Sequence, residues 1–167
     1  VNSGYIVIRM GKGFNNPFPF RHKNFIDYAI SPYRSDFLDI WLSANCMFFF
    51  GTNTGINTLP SVFNKPFLGT NAFPVGIIAS YTPNSIHLPR LAKKNGKLLN
   101  IKEHIRLDVI RQVNGVHYEN IGLEAIENDP EDILNAVKDI ENKIKNEFFV
   151  NDLNMQFWKK LKKYWST

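Results

Sequence analysis

The first seventy residues alternate short apolar runs with segments whose apolar residues recur at helical spacing. Apolar runs of this length are typical of buried strands, and strands that alternate with helices favour a parallel sheet. The predicted elements are strands at Gly4–Met10, Asn24–Ala29, 46–50 and Pro66–Thr70, with helices at 35–44 and about 54–64 on either side of the third strand. The pattern therefore predicts an α/β domain with a Rossmann-like, doubly wound parallel sheet.

The segment that follows the third strand carries the strongest chemical signal. Five apolar residues, Cys46–Phe50, pass directly into a turn of glycine, threonine and asparagine at Gly51–Gly55. Ligands of parallel α/β sheets bind at the carboxyl edge, and a helix that begins there has unpaired N–H groups, so we interpret the turn as a phosphate site. The residues expected at the phosphate are Thr52, Asn53, Thr54 and Gly55. The alternative is an ordinary helix cap, because such residues are preferred there anyway.

Helix signals are clear at some positions and weak at others. Pro60 lacks an N–H, so a kink or a restart of the helix is expected near it. Between 76 and 123 the pattern loosens, with weak alternation at Ile86–Leu91 and a helix considered over Asn100–Val113. Asp129 before Pro130 predicts a helix start, and that helix should run to about Glu147. Its predicted buried stripe comprises Ile133, Leu134, Val137, Ile140 and Ile144.

A last helix is predicted over residues 152–165, with Trp158 and Trp165 on its apolar side and lysines on the other. One interpretation packs this helix on the domain or on a neighbouring domain. The other places it at an anionic membrane surface, since basic amphipathic helices with tryptophans lie there. We therefore divide the chain into a Rossmann-like domain at 1–150, which carries the candidate phosphate turn, and a terminal helix at 151–167.

Polar residues near the other strand ends are further candidates for ligand contacts. Arg9 offers a planar fork that matches phosphate oxygens, although a salt bridge is an equal alternative. Lys12, between two glycines, could approach the same phosphate. The residues considered for the base, ribose or sugar are Asp27, Tyr28, Ser31, Asn71 and Glu124. For Tyr28, core packing is at least as good an interpretation.

Composition narrows the function classes. The 167 residues carry a net charge of +5, concentrated in the terminal lysines, and arginine is scarce, so nucleic-acid binding is not expected. Cys46 is expected to be an inert core thiol, and the four histidines are scattered, so no metal site or cofactor is predicted. No apolar run approaches the ~20 residues that span a bilayer, and no signal peptide is visible, which favours the cytoplasm. The start at Val1, close to a strand, suggests part of a longer protein.

Three stretches resemble a known family. They are GYIVIRMG at Gly4–Gly11, the segment Asn24–Asn71, and GLEAIENDPEDILNAVKDI at Gly122–Ile140. Together they resemble the donor-binding half of a GT-B glycosyltransferase, from a family of bacterial enzymes encoded in surface-polysaccharide loci. A more distant likeness is to the heptosyltransferases, whose Asp-Thr/Ser-Gly-x-x-His turn follows the same strand. Here Thr54 and Gly55 match, whereas Asn53 replaces the acid and Thr58 the histidine.

The resemblance implies a nucleotide-sugar donor, with its diphosphate on the turn after strand 46–50, and a surface glycan as acceptor. It also implies a preceding acceptor-binding domain that holds the catalytic base, so no catalytic residue is assigned in this chain. The enzyme would work in the cytoplasm, in contact with the inner face of the membrane on the second interpretation of the last helix. Two other functions stay open: a non-catalytic sugar-nucleotide binding module and a sugar-nucleotide epimerase of related fold.

Overall fold

A computed structural model describes residues 1–52, 54–72, 85–107, 109, 115–145, 155–156, 159 and 162. The chain divides into two compact units, Val1–Cys46 and Met47–Thr167, and each is described by itself. The boundary predicted at residue 150 lies outside the described residues.

The first unit is built on two short parallel strands. β1 (Val7–Ile8) pairs with β2 (Phe25–Ile26), and Val7 lies opposite Phe25 in the register. A 3-10 turn at Tyr28–Ile30 follows β2. Both strands lie within the predicted segments but are shorter, because only two residues of each take part in the ladder.

The unit's helix, α1, extends over Asp36–Asn45 and begins as predicted. The Leu38 N–H donates to the Ser35 hydroxyl at 3.2 Å, which satisfies one of the free donors of the first turn. The sequence of α1 is apolar nearly all round, yet Phe37, Ile40 and Trp41 are exposed.

The second unit contains a parallel sheet of three strands in the order β3, β4, β5. Its strands are β3 (Phe49–Gly51), β4 (Phe67–Ala72) and β5 (Ile86–Pro89). The central strand is β4, whose residues 67–70 are all buried. The expectation that strand 46–50 is a buried strand is wrong, because β3 lies at the edge of the sheet among the described strands and Phe50 is 48% exposed. The predicted strand at Pro66–Thr70 is confirmed.

Between β3 and β4 the chain forms a 3-10 turn at Gly55–Asn57 and the short helix α2 (Thr58–Val62). Pro60 is the third residue of α2, where its N–H would have no acceptor within the helix. The predicted interruption near Pro60 is therefore confirmed, and it takes the form of a change of helix type just before it.

The core of this unit lies between the parallel sheet and α5 (Pro130–Ile144). Leu68, Ala136 and Ile140 form its buried centre. Partly buried side chains surround them: Phe48, Ile86, Leu88, Val137 and Ile144. The predicted start of α5 is confirmed by the Glu131 N–H, which donates to Asp129 Oδ1 at 2.8 Å. Leu134 is 53% exposed, so its placement in the buried stripe is wrong.

The loosely patterned middle of the chain contains a second sheet, which is antiparallel. It has the order β7, β6, β8. Its strands are β6 (Leu91–Lys94), β7 (Lys97–Leu98) and β8 (Leu123–Ile126). Asn95 and Gly96, both at positive φ, form the tight hairpin turn between β6 and β7.

Among the described residues between β7 and β8, the chain forms two short helices. α3 (Ile101–Arg106) begins in a capping box between Asn100 and Glu103, which confirms the start of the helix considered at Asn100–Val113. α4 extends over Gly115–Asn120. The chain is thus a mixed α/β protein with small parallel and antiparallel sheets, and one continuous doubly wound sheet stays a prediction.

Of the predicted terminal helix, the structure describes Met155, Gln156, Lys159 and Lys162, which are helical and exposed. Both tryptophans and the rest of its apolar side lie outside the described residues. Over the residues that are described, every helix is too short or too polar to cross a bilayer.

Candidate functional site

In the described part of the turn after β3, Thr54 does not act as a side-chain cap. Thr52 is exposed, Asn53 lies outside the described residues, and Thr54 has an extended backbone just before the 3-10 turn. Thr54 occupies the cap position, yet its side chain accepts no bond from a backbone N–H. Its hydroxyl instead donates to Asn57 Oδ1 at 3.3 Å. The side-chain cap is therefore absent at Thr54, and the phosphate role of the turn stays a prediction.

The side-chain amide of Asn57 contacts two residues of the turn, Gly51 and Thr54. A Cβ on Gly51 would lie 2.9 Å from Asn57 Oδ1, so the glycine makes room for this amide. Asn57 Nδ2 is buried and has no hydrogen-bond acceptor among the described atoms. The Thr58 hydroxyl donates to the Gly55 carbonyl at 2.8 Å. Side chains thus fix the turn's shape, while the first N–H groups of a 3-10 turn have no acceptor within it.

Asn71 lies at the same edge of the parallel sheet. Gly51 of β3 is in register with Gly69 of β4, so Asn71 comes two residues beyond the point where β3 ends. Its backbone N–H donates to Asn128 Oδ1 at 2.6 Å, and the Asn128 N–H donates back to Asn71 Oδ1 at 2.7 Å. Asn128 Nδ2 also donates to the Pro89 carbonyl at 2.9 Å. These bonds fasten the end of β4 to the loop before α5, and a sugar contact by Asn71 stays a prediction.

Arg9 belongs to the first unit and forms the salt bridge that was one of its two interpretations. Its Nη1 is 3.1 Å from each carboxylate oxygen of Asp27. The guanidinium carbon lies 4.1 Å from the centre of the Phe14 ring, in cation–π contact. Asp27 Oδ2 also accepts the Phe18 N–H at 2.7 Å. A phosphate contact by Arg9 stays a prediction.

The loop after β1 contains the other candidate cation. Gly11 and Gly13 have positive φ, and a Cβ on Gly11 would lie 2.6 Å from an atom of the Phe14 ring. Both glycines are therefore needed for the path of the loop. Lys12 between them is exposed. Its phosphate role stays a prediction.

Tyr28, in the 3-10 turn after β2, and Ser31, just after that turn, each form hydrogen bonds with residues that follow them in the chain. Tyr28 is buried, its hydroxyl donates to the Ser35 carbonyl at 3.2 Å, and it accepts the Ser35 N–H at 3.1 Å. Burial raises the pKa of Tyr28 above its ordinary value. The Ser31 hydroxyl accepts the Tyr33 N–H at 3.2 Å. The packing interpretation of Tyr28 is thus realised, and contacts of either residue with a nucleotide stay predictions.

Glu124 is an exposed residue of β8, opposite Lys93 in the antiparallel sheet. The structure therefore does not place it in the parallel sheet whose edge carries Thr54 and Asn71. A contact between Glu124 and the ribose stays a prediction, and the other candidate residues at the parallel sheet do not bear on it.

Two residues that contact Thr54 and Asn71 were not predicted from the sequence. They are Asn57 and Asn128. Asn57 is three residues after Thr54, a spacing that brings side chains together in a helical turn. Asn128 precedes the strong helix start at Asp129, and no local signal links it to Asn71, 57 positions earlier.

The comparisons with protein-family models, with curated proteins and with solved structures found no match. Within the described part of the chain, no three His, Cys, Asp or Glu side chains converge in a metal-binding arrangement. His104 in α3 is buried, and burial lowers its pKa below the ordinary value.

Proposed function

We propose that this chain binds the nucleotide-sugar donor of a glycosyltransferase that transfers a sugar to a surface glycan. The observation that carries the proposal is the turn at Gly51–Gly55. It follows β3 of a parallel sheet, where ligands of such sheets bind, and it carries a hydroxyl that does not serve as a cap. The likeness of Asn24–Asn71 to donor-binding domains supports the same conclusion.

The chemistry of sugar transfer explains why such a turn is suitable. The departing nucleoside diphosphate gains negative charge as the glycosidic bond breaks. Hydroxyl and backbone N–H donors that are already fixed in position stabilise that charge without reorganisation. The Thr54 hydroxyl has one proton, so on binding it exchanges its long bond to Asn57 for a bond to a phosphate oxygen, while Gly51 leaves room for Asn57 beside it. The residues proposed for the phosphates are Thr52, Asn53, Thr54 and Gly55.

The experiment is calorimetric titration with nucleoside diphosphates of each common base and with their sugar conjugates. We expect one base series to bind, and Thr54→Val to weaken that series. Ser35→Ala is the matched control, because Ser35 is a true helix cap in the other unit. No binding of any series at millimolar concentration would contradict the proposal, and equal binding by the two variants would remove the turn from it.

A further inference from the structure

The first unit contains an aromatic cleft of about 260 Å³ that no function above uses. It lies between β2 and the loop that precedes it. Its lining residues are Pro17, Phe18, Phe20, Arg21, His22, Phe25 and Asp27. Drug-sized pockets occupy ~300–1,000 Å³, so this cleft suits a single ring-sized group.

Three phenylalanine rings form the floor of the cleft. Phe25 is central, with ring centres 5.7 Å from Phe18 and 5.4 Å from Phe20. Phe18 is 47% exposed and Phe20 is 42% exposed, so both present ring surface to solvent. The rings are inclined to Phe25 by 44° and 79°, so the three rings do not form a flat surface.

The polar rim has one carboxylate whose position is fixed and one cation without a partner. Asp27 is held by Arg9 and by the Phe18 N–H, as described above. Arg21 is exposed and forms no hydrogen bond or ion pair with any described residue. His22 Nδ1 accepts the Asn24 N–H at 3.0 Å, so in the neutral ring Nε2 carries the proton and is a donor. Since Arg9 neutralises Asp27, the net charge of the rim is positive.

From this arrangement we infer that the cleft binds a pyranose that carries an anionic group. The C–H face of the sugar lies on the phenylalanine floor, where the negative ring faces attract polarised C–H groups. Asp27 accepts hydrogen bonds from sugar hydroxyls, and Arg21 pairs with the anion, which is a carboxylate or a phosphate. The inference does not rest on the donor proposal, which concerns the other unit.

The ring geometry favours a sugar over a planar base. A base stacked between two rings needs them roughly 7 Å apart, because each contact takes about 3.5 Å. The one nearly parallel pair, Phe20 and His22, has its ring centres 6.3 Å apart and is inclined by 9°, so the two rings leave no slot between them. The inclined rings thus offer separate ring faces, and a sugar chair can place the C–H groups of one side on such a face.

The test is titration of the whole chain with methyl glucuronide, glucose 6-phosphate, methyl glucoside and inorganic phosphate, followed by saturation-transfer NMR. We expect at least one anionic sugar to bind about tenfold more tightly than the neutral glucoside. Inorganic phosphate alone should bind more weakly than that anionic sugar. Which anionic sugar binds distinguishes the carboxylate from the phosphate. Arg21→Gln should remove the preference, whereas Lys23→Gln, a change of a nearby exposed cation outside the cleft, should leave it within twofold.

The inference is overturned if none of the sugars binds, if the neutral and anionic sugars bind alike, or if Arg21→Gln leaves the preference intact. Inorganic phosphate that binds as tightly as the sugars would also overturn it, since the rings would then contribute nothing. Because Arg21 is exposed, its replacement leaves the fold in place. Failure of this test leaves the nucleotide titrations of the Thr54 variant unaffected, so the two proposals fail separately.

Discussion

The Arg9–Asp27 cluster of the first unit and the turn after β3 in the second unit differ in how many hydrogen-bond partners their polar groups have. In the cluster, both carboxylate oxygens and the guanidinium are bound to each other and to a backbone N–H. In the turn, the Thr54 hydroxyl makes one long bond to Asn57, whose own Nδ2 has no acceptor among the described atoms. Polar groups that bond to each other stabilise a fold even where, as at Asp27, lone pairs remain for a ligand, and polar groups with few partners at a sheet edge add little stability and are available to a ligand.

The largest expected effect tests whether the Arg9–Asp27 cluster stabilises the fold. We expect Asp27→Asn to lower the free energy of unfolding by about 2–4 kcal/mol, because the partly buried guanidinium of Arg9 loses its counter-charge. Urea unfolding at neutral pH measures it. Glu127→Gln is the control, since Glu127 pairs with Arg90 but is largely exposed and should cost less than about 1 kcal/mol. Equal losses in the two variants would contradict the structural interpretation of the cluster.

The second prediction tests whether the turn after β3 binds a ligand. Thr54→Val should weaken binding of the preferred nucleoside diphosphate by about 1.5–3 kcal/mol, since a hydrogen bond to a charged group is lost. Its free energy of unfolding should change by less than about 0.5 kcal/mol, because the bond to Asn57 is long and exposed. The Ser35→Ala control should reverse the pattern, with a loss of about 1 kcal/mol in stability and unchanged affinity. A Thr54 variant that loses only stability would make the turn structural.

The third prediction concerns the residue that makes room for Asn57. Gly51→Ala places a Cβ against Asn57 Oδ1, and we expect a loss of about 1 kcal/mol in stability as the amide moves. Nucleotide affinity should fall as well, since Thr54 loses its support. Gly55→Ala is the stability control, because a Cβ there meets open space. If both alanine variants unfold alike, the contact between Gly51 and Asn57 is unimportant.

The last prediction concerns unsatisfied polar groups away from any sheet edge. Both ring nitrogens of His104 are buried and have no partner among the described residues, and burial lowers the pKa. The unfolded chain therefore binds a proton more readily, so stability is fully present above the ordinary histidine pKa of ~6.5 and falls as the pH drops toward the lowered folded value. Denaturant unfolding from pH 7.5 to pH 5 should show this slope, and His104→Leu should reduce it. An unchanged slope in the variant would exclude His104 as its source.

Helix starts and interruptions were predictable because their causes are local. Ser35 and Asp129 each accept a bond from an N–H two or three residues later, and Pro60 acts within its own turn. The turn after β3 was predictable as far as its position and residue types, since glycine and threonine after an apolar run form a local signal, and its phosphate role stays a prediction. Its contact with Asn57 was missed, because the direction of a side chain is not written in the residue type.

The sequence by itself determined where α1, α3 and α5 begin and which segments contain β1 to β4, because caps, turns and apolar runs act over a few neighbouring residues. Only the tertiary structure decided that β4 and not β3 is central, that α1 exposes much of its apolar surface, and that Asn71 meets Asn128. These outcomes depend on which distant segments pair and on how much surface each sheet offers. Such pairing is set by the total free energy of packing over the whole unit, to which each local pattern contributes only a small part.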